Sequence, residues 1–340
     1  MNNDIVTLKN QIKNDKLSKL YVFFGEEDFL TEFYTKRICE KIPDMGFPEF
    51  NRITLDGKDS APVEIADAVD TFPMMAKRKA VIISESGAFG AKTSAEIKEL
   101  YLRIFENLSD DTVIIIKETN VDKRGAVYKS AKKHGTVIEF KRLSDADIVT
   151  WIMREARGLG KTVSKQNAIL MTSICGKNLN ALKNEIEKLS SYADGDEITE
   201  TDIRRLASRS LEARVFDLCD YIMNKNADSA LLLMEDLKTN KESPFAILYL
   251  FYIEFEKLLK AKLYTKQNMP RSDIASAISV PPFKVAKYIS AARSFSEDEL
   301  AHLIIMVPQL DLSIKRGEIQ EWQAIEALVF EGIGGKKSYE

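Results

Sequence analysis

The sequence has few of the residues that build disulfide and metal sites. Its 340 residues include only three cysteines, Cys39, Cys175 and Cys219, and two histidines, His134 and His302. The cysteines are far apart, odd in number and outside any CxxC pattern, which disfavours a disulfide framework and a zinc site. The two histidines are far apart in the sequence. We therefore expect no metal, no other cofactor, and a reducing cytoplasmic location.

Long apolar runs and a strong excess of one charge are also missing. No stretch reaches the roughly 18 to 20 apolar residues that span a bilayer, and the N-terminal segment MNNDIVTLKNQIKND contains no apolar signal core. The formal net charge is -3, so any contact with nucleic acid has to come from a local patch. The hydrophobic content of 45% is enough for the cores of two or three domains.

Residues 1–142 alternate short apolar runs with amphipathic stretches. The runs predict strands at 21–25, 51–56, 79–84, 111–118 and 136–140, and the stretches between them predict helices at 28–42, 61–72, 94–108 and 124–135. This alternation is typical of βαβ units, in which helices cover both faces of a parallel sheet. We therefore predict an α/β domain over residues 1–142.

After residue 142 the predicted strands stop. We predict a small helical, lid-like domain over 143–210, whose first helix opens with Ser144 and Asp147 at the spacing of a capping box. A larger helical domain follows over 211–334, in which Pro308 lies inside a helix and is expected to kink it. Residues 335–340 form a polar tail. The predicted fold class is thus α/β plus all-α.

The turn after the first predicted strand lacks the residues of a phosphate-binding loop. A Walker A loop follows the pattern GxxxxGK[ST], whereas here Gly25 is followed by Glu26, Glu27 and Asp28. Carboxylates repel phosphate, and at the start of a helix they complement the helix dipole. The KETN sequence at the end of the fourth strand does not supply the acidic pair that holds magnesium. We interpret this as a degenerate nucleotide site.

Other catalytic arrangements are also missing from the first domain. Its serines have no base nearby in sequence, and the adjacent carboxylates Glu26 and Glu27 point in different directions on a helix. We expect no intrinsic catalytic site.

A basic cluster lies on or beside the helix predicted at 124–135. It consists of Lys123, Arg124, Lys129, Lys132 and Lys133. A solvated helix face is the simpler interpretation, and contact with a phosphate backbone is the functional one. Both remain open.

The segment FPMM, residues 72–75, follows a predicted helix and precedes a basic turn. Because a proline tends to end a helix at the preceding residue, Met74 and Met75 are expected on the connection to the third strand. A flexible, polarizable pair in that position suits a partner's hydrophobic pocket. The alternative is that both methionines pack beneath the sheet, and spacing alone does not decide between the two.

Six stretches, in this order and spacing, resemble the delta-subunit family of bacterial DNA polymerase III. They are YVFFGEEDFLTEF, FPMMAKRKAVII, VIEFKRLSDADIVTWIMREARGLGKTVS, NLNALKNEIEKLSSY, ARVFDLCDYI and ARSFSEDELAHLIIMVPQLDLSIKRG. The resemblance runs from about residue 19 to 332.

The resemblance implies an AAA+-like first domain with a decayed ATP site and a C-terminal helical collar for oligomerisation. It also implies a non-catalytic clamp-loader subunit within the DNA polymerase III holoenzyme. Such a subunit binds the sliding clamp (beta subunit) and opens or holds open its ring for loading on primed DNA during replication. The implied partners are the clamp, ATP-binding gamma/tau-type and delta-prime-type loader subunits, and primer-template DNA.

The resemblance further implies which residues bind the clamp. In the family, a pair of apolar residues, commonly leucine and phenylalanine, enters a hydrophobic pocket of the clamp. By position this pair falls on Met74 and Met75, with Phe72 and Pro73 beside it.

The sequence leaves two alternative functions open. The first is an AAA+ ATPase with a non-standard phosphate loop, which predicts ATP turnover by the isolated chain. The second is a stand-alone DNA-binding protein that uses the basic cluster, which predicts salt-dependent DNA affinity without any other subunit.

Overall fold

The structure, a computed structural model, describes residues 3–334. The chain separates into two units, which adjoin in sequence at residues 147 and 148. The predicted boundary at 210 and 211 falls within the second unit, and the division into three domains remains a prediction. The predicted polar tail, 335–340, lies outside the described residues.

Five strands form one parallel sheet in the first unit. Their bounds are Leu20–Phe24 (β1), Arg52–Asp56 (β2), Lys79–Ser84 (β3), Thr112–Glu118 (β4) and Thr136–Glu139 (β5). The strands lie in the order β2-β3-β4-β1-β5, and every neighbouring pair is parallel. The three central strands are buried on both faces, which explains their continuous apolar sequences. All five predicted strands are confirmed to within one residue at each end.

Helices of the first unit precede or connect these strands. Their bounds are Asn3–Lys13 (α1), Asp28–Cys39 (α2), Pro48–Asn51 (α3), Pro62–Asp70 (α4), Ala95–Glu106 (α5) and Ala126–His134 (α6). The four predicted helices are confirmed with shorter ends. The helix predicted to end at residue 42 ends at Cys39, and the one predicted to end at residue 72 ends at Asp70. The short helices α1 and α3 are not predicted.

Aromatic and aliphatic side chains fill both faces of the sheet. Leu20 and Val22 of β1 belong to a core that includes Phe105 of α5. On the other face, the ring of Phe23 lies 5.3 Å from that of Phe140, which stacks on Tyr34 of α2 at 5.5 Å. The expected α/β arrangement, a parallel sheet with helices on both faces, is therefore confirmed.

The remaining described elements are all helices. Their bounds are Asp145–Gly158 (α7), Lys165–Cys175 (α8), Leu179–Tyr192 (α9), Glu200–Leu206 (α10), Leu211–Met223 (α11), Ala227–Thr239 (α12), Pro244–Lys266 (α13), Arg271–Ala277 (α14), Pro282–Ala292 (α15), Glu297–Lys315 (α16) and Glu321–Gly334 (α17). The predicted cap of α7 is confirmed, since Ser144 Oγ accepts a hydrogen bond from the Asp147 amide at 3.2 Å. Pro308 lies inside α16, which continues through it.

The long helices α13 and α16 pack side by side in opposite directions. Lys266, at the end of α13, pairs with Glu297 at the start of α16 at 2.9 Å, and Lys315 lies over the ring of Phe245 at the other end. The half of the second unit that contains them has an extensive apolar core, including the stacked rings of Phe251 and Phe255.

The described residues were compared with the requirements of a membrane-spanning helix, a metal site and a reactive thiol. Between residues 3 and 334, no helix is both long and apolar enough to cross a bilayer, and no three His, Cys, Asp or Glu side chains are grouped to hold a metal ion. The three cysteines are buried free thiols. Burial raises the pKa of Cys175 to about 12, which keeps this thiol protonated and unreactive.

Candidate functional site

The parallel sheet has two edges with different surroundings. The segments that precede the strands meet at one edge, here called the amino edge, and those that follow them meet at the other, the carboxyl edge. The segment 72–75 precedes β3 and lies at the amino edge. The turn at Gly25 follows β1 and lies at the carboxyl edge. The two sites predicted from the sequence are therefore at opposite ends of one sheet.

Three large apolar side chains at the amino edge are exposed. The exposed fraction is 80% for Phe72, 39% for Met74 and 76% for Met75, and Pro73 is half-buried. This excludes the arrangement in which both methionines pack beneath the sheet. The structure thus presents the predicted clamp-binding segment, residues 72–75, to solvent.

The backbone of this segment is held by the side chain of Asn51. The Asn51 carboxamide donates a hydrogen bond to the Met74 carbonyl and accepts one from the Met74 amide, each at 2.8 Å. Asn51 is the last residue of α3, directly before β2, and is only 1% exposed. The β2–β3 ladder begins one position further on, with Arg52 opposite Ala80. The carboxamide therefore ties the residue directly before β2 to the segment that precedes β3.

The buried side chain of Lys79 holds the preceding residues. Its ammonium donates to the carbonyl oxygens of Ala68, at 2.6 Å, and Thr71. These carbonyls belong to the end of α4, where backbone acceptors have no partner within the helix. Lys79 is fully buried, and burial lowers its pKa from the ordinary value, while the Asp111 and Asp70 carboxylates oppose that shift. The segment is thus anchored on both sides.

The other two cations of the basic turn face outward or along the edge. Arg78 donates from Nε to the carbonyl of Asp110 at 2.9 Å, and Lys77 is exposed. Met75 has a left-handed backbone conformation, with φ of 52°. That conformation is uncommon for a long side chain and persists where neighbouring contacts impose it.

A groove of about 650 Å³ adjoins Met75. It is lined by Asp15, Leu17, Lys41, Ile42, Pro43, Met45, Met75, Ala76, Lys77 and Arg78. A third exposed methionine, Met45, therefore lies beside the same surface.

The carboxyl edge is closed around Gly25. Only three residues, 25–27, separate β1 from α2. Gly25 has φ of 121°, and a Cβ atom there would lie 2.4 Å from the carbonyl oxygen of Phe140. The Glu27 amide donates to the same oxygen at 3.0 Å, so an amide that a phosphate loop would direct at its ligand is bonded internally.

Buried and paired side chains occupy the rest of this edge. Glu118, at the end of β4, accepts hydrogen bonds from the amide and the hydroxyl of Ser86, the former at 2.9 Å. Burial raises the pKa of Glu118 to about 7, against the lowering effect of these bonds. Lys117 pairs with Glu32 at 2.6 Å. These features agree with a degenerate nucleotide site, because the groups present are acidic or already paired.

The basic cluster divides into two parts. Lys123 pairs with Glu139 at 2.8 Å, and Arg124 lies 3.4 Å from Asp122, both near the carboxyl edge. Lys129, Lys132 and Lys133 are exposed on α6. Within the described residues, no carboxylate lies within 4 Å of their ammonium groups.

The sequence did not reveal the residues that hold the segment 72–75. Asn51 is 23 positions from Met74, and neither residue type nor local spacing links the two. Lys79 gave a weak signal, because a lysine opens an otherwise apolar buried strand and therefore needs internal partners.

Two family models match the chain. The model of the DNA polymerase III delta subunit matches residues 21–141, and the model of the C-terminal domain of the DNA polymerase III delta subunit matches residues 212–331.

Individual proteins give the same result. The chain is 27% identical over 328 residues to DNA polymerase III subunit delta of Bacillus subtilis (strain 168), covering 94% of each chain. It is 24% identical over 303 residues to a probable DNA polymerase III subunit delta of Aquifex aeolicus (strain VF5), covering 86% of this chain and 85% of that protein. Among solved structures, it is similar to the Bacillus subtilis DNA clamp loader delta protein, with a TM-score of 0.65 and 25% identity over 97% of this chain and 99% of that one.

Proposed function

This chain belongs to the DNA polymerase III delta-subunit family, and we propose that it is a non-catalytic clamp-loader subunit that binds the sliding clamp through Met74 and Met75. Phe72 and Pro73 complete the contact. The observation that carries the proposal is the exposure of three large apolar side chains within four residues, at a sheet edge whose backbone is anchored. Grouped apolar side chains on a protein surface mark contact sites.

This contact contributes part of the free energy of clamp binding. Burying two methionine side chains supplies on the order of 3 to 6 kcal/mol before entropy costs. Those costs are smaller when the backbone is held in place before binding. The bonds made by Asn51 and Lys79 therefore favour a segment that is ready to bind.

Clamp opening follows from a difference in affinity. A subunit that binds the open or distorted ring more tightly than the closed ring shifts the population towards the open form by that difference. No chemistry in this chain is needed for such a shift. ATP hydrolysis takes place in other loader subunits, whose nucleotide state controls access to the methionine pair.

Assembly with those subunits is assigned to a helical collar over 211–334, after a lid-like domain over 143–210. An exposed apolar stripe supports this assignment. It consists of Phe245, Tyr249 and Tyr252 on α13 and Ile305 and Leu312 on α16. The α13 residues stand at i, i+4 and i+7 and the α16 residues at i and i+7, so each helix presents an exposed apolar face of the kind that subunit interfaces cover.

Primer-template DNA is assigned to the exposed face of α6. Lys129, Lys132 and Lys133 stand at i, i+3 and i+4, which places them on one side of the helix. Val127 and Ala131 are buried on the other side. The three ammonium groups have no carboxylate within 4 Å among the described residues, although Lys132 lies over the Tyr128 ring at 5.9 Å. They can therefore neutralise phosphates, with Lys123 and Arg124 beside the start of the helix.

The test compares clamp binding by the native chain and by the Met74→Ala/Met75→Ala variant. The clamp comes from the same organism, and both chains are checked by circular dichroism. We expect the variant to bind at least about tenfold more weakly, which is about 1.4 kcal/mol. The matched control is Val6→Ala/Val63→Ala, which truncates two exposed apolar side chains elsewhere in the first unit. An unchanged affinity for the methionine variant would remove the proposed contact.

A further inference from the structure

We infer that Asn51 is a positioning residue for clamp binding, which it serves by fixing the Met74 peptide and joining it to the loop that carries Met45. This inference rests on the proposed function of Met74 and Met75. It assigns a role to a buried residue that contributes no contact surface of its own.

All hydrogen-bonding groups of the Asn51 side chain are used within the protein. Its Oδ1 atom accepts from the Met74 amide, and its Nδ2 atom donates to the carbonyls of Met74 and Asp44, all at 2.8 Å. A carboxamide has two donor hydrogens, and each has a partner here. Because Asn51 is 1% exposed, a partner protein cannot contact it without rearrangement of the fold.

The two loops joined by Asn51 border the same groove. Met45 has φ of 54° and follows Asp44 directly, while Met75 has φ of 52° and follows Met74 directly. Both methionines line the groove and both are exposed. The Asn51 bonds thus end one residue before each of two exposed methionines.

This arrangement has a physical consequence for binding. Without the carboxamide, the Met74 amide and carbonyl lose their internal partners and turn to water. The segment then samples several conformations, and ordering it again on the clamp costs free energy. The loss appears as weaker clamp binding even when the fold is intact.

The experiment measures the affinity of four forms of the full chain for the sliding clamp. These are the native sequence, Asn51→Ala, Met74→Ala/Met75→Ala, and the triple variant that combines them. We expect Asn51→Ala to weaken binding by about 5- to 30-fold, the effect of losing hydrogen bonds worth ~1–2 kcal/mol. In the background without the two methionines, the same substitution should weaken binding by less than about twofold, because the effect acts through them.

The outcomes separate the inference from the function on which it rests. If Met74→Ala/Met75→Ala binds like the native chain, the proposed function fails. If that variant loses binding while folded Asn51→Ala binds like the native chain, only the positioning role fails. If Asn51→Ala has an equal effect in both backgrounds, it acts on the whole fold, and the positioning role is also overturned.

A matched control is Ser86→Ala. Ser86 is also 1% exposed and also hydrogen-bonded through its side chain, but at the carboxyl edge. The Ser86→Ala substitution should lower the melting temperature of the chain without changing its affinity for the clamp. An equal loss of affinity in this control would show that destabilisation alone explains the Asn51 effect.

A second measurement needs no variant. The exchange rate of the Met74 amide hydrogen in the free native chain reports directly on its bond to Asn51. We expect slowing of at least about 100-fold relative to an unstructured peptide. Exchange at the unstructured rate would overturn the inference, even where Asn51→Ala does not fold.

Discussion

The two edges of the parallel sheet differ in what they leave exposed. The amino edge holds its backbone from within, through Asn51 and Lys79, and presents apolar side chains to solvent. At the carboxyl edge, the Glu27 amide is hydrogen-bonded to Phe140 and the Glu118 carboxylate to Ser86. There is no room for a Cβ atom at Gly25. Under the proposed function, binding to the clamp and binding to a nucleotide therefore depend on separate surfaces of the α/β domain. One of them can be lost while the other is kept.

The largest expected effect is on stability, from Gly25→Ala at the carboxyl edge. The new Cβ meets the Phe140 carbonyl at 2.4 Å, in a backbone conformation that favours glycine. We expect the free energy of unfolding to fall by about 3–5 kcal/mol in chemical denaturation. Gly87→Ala is the control: Gly87 is also left-handed, but a Cβ there has no neighbour within 4 Å, so the loss should be about 1 kcal/mol. Equal losses of unfolding free energy in the two variants would mean that the Phe140 carbonyl does not exclude a Cβ atom at position 25.

The next effect is a pH dependence at Glu118. The folded state binds its proton more tightly than the unfolded chain, because burial raises its pKa from 4.5 to about 7. The free energy of unfolding therefore decreases as pH rises through this range and stays lower above it. Glu118→Gln remains neutral, so we expect it to be more stable than the native chain by about 2–3 kcal/mol at pH 8 and nearly equal at pH 4.

Urea unfolding across this pH range checks the prediction. Glu85→Gln serves as the control, since Glu85 is a partly exposed carboxylate close to Glu118. A constant difference between Glu118→Gln and the native chain at all pH values would contradict the assignment.

A smaller effect is expected from Lys79→Met at the amino edge. The substitution leaves the Ala68 and Thr71 carbonyls without their donor. We expect a loss of about 1–2 kcal/mol in stability, together with weaker clamp binding, because the start of the segment 72–75 is released. Lys77→Met, which alters an exposed cation two residues earlier, should change neither property. Unchanged clamp binding by Lys79→Met would mean that Asn51, and not Lys79, holds the segment 72–75 for clamp binding.

The smallest effect is expected from substitutions of the basic-cluster lysines that lie on α6. Replacing Lys129, Lys132 and Lys133 with glutamine should leave stability and clamp affinity unchanged, since the side chains are exposed. The salt dependence of DNA binding by the assembled loader should fall by about one unit of slope for each phosphate contact that is lost. An unchanged slope would favour the interpretation of a solvated helix face.

Much of the fold was predictable because its signals are local. Each buried strand is a continuous apolar run, such as AVII in β3, and each connecting helix has a distinct polar face. The helices α1 and α3 escaped prediction because their signals are weak. The first lies against β5, with a hydrogen bond from Gln11 to Thr136, and the second is only four residues long.

The candidate site was only partly predictable. Met74 and Met75 stand out in sequence, and the proline before them places them on a connection. Their backbone is held by Asn51, which is distant in sequence, and the residues before them by Lys79, whose ammonium points inward to carbonyls that a sequence does not locate. Such contacts are properties of the sheet edge rather than of any local pattern.

Under the proposed function, this chain binds the clamp at its amino edge without using a nucleotide. The most direct test is the Kd of the isolated chain for the sliding clamp, with and without ATP and magnesium, for the native sequence and for Met74→Ala/Met75→Ala. We predict the same Kd for the native chain in both conditions, and a Kd at least about tenfold higher for the variant. Binding that requires ATP, or that survives the loss of both methionines, would rule out nucleotide-independent clamp binding through Met74 and Met75.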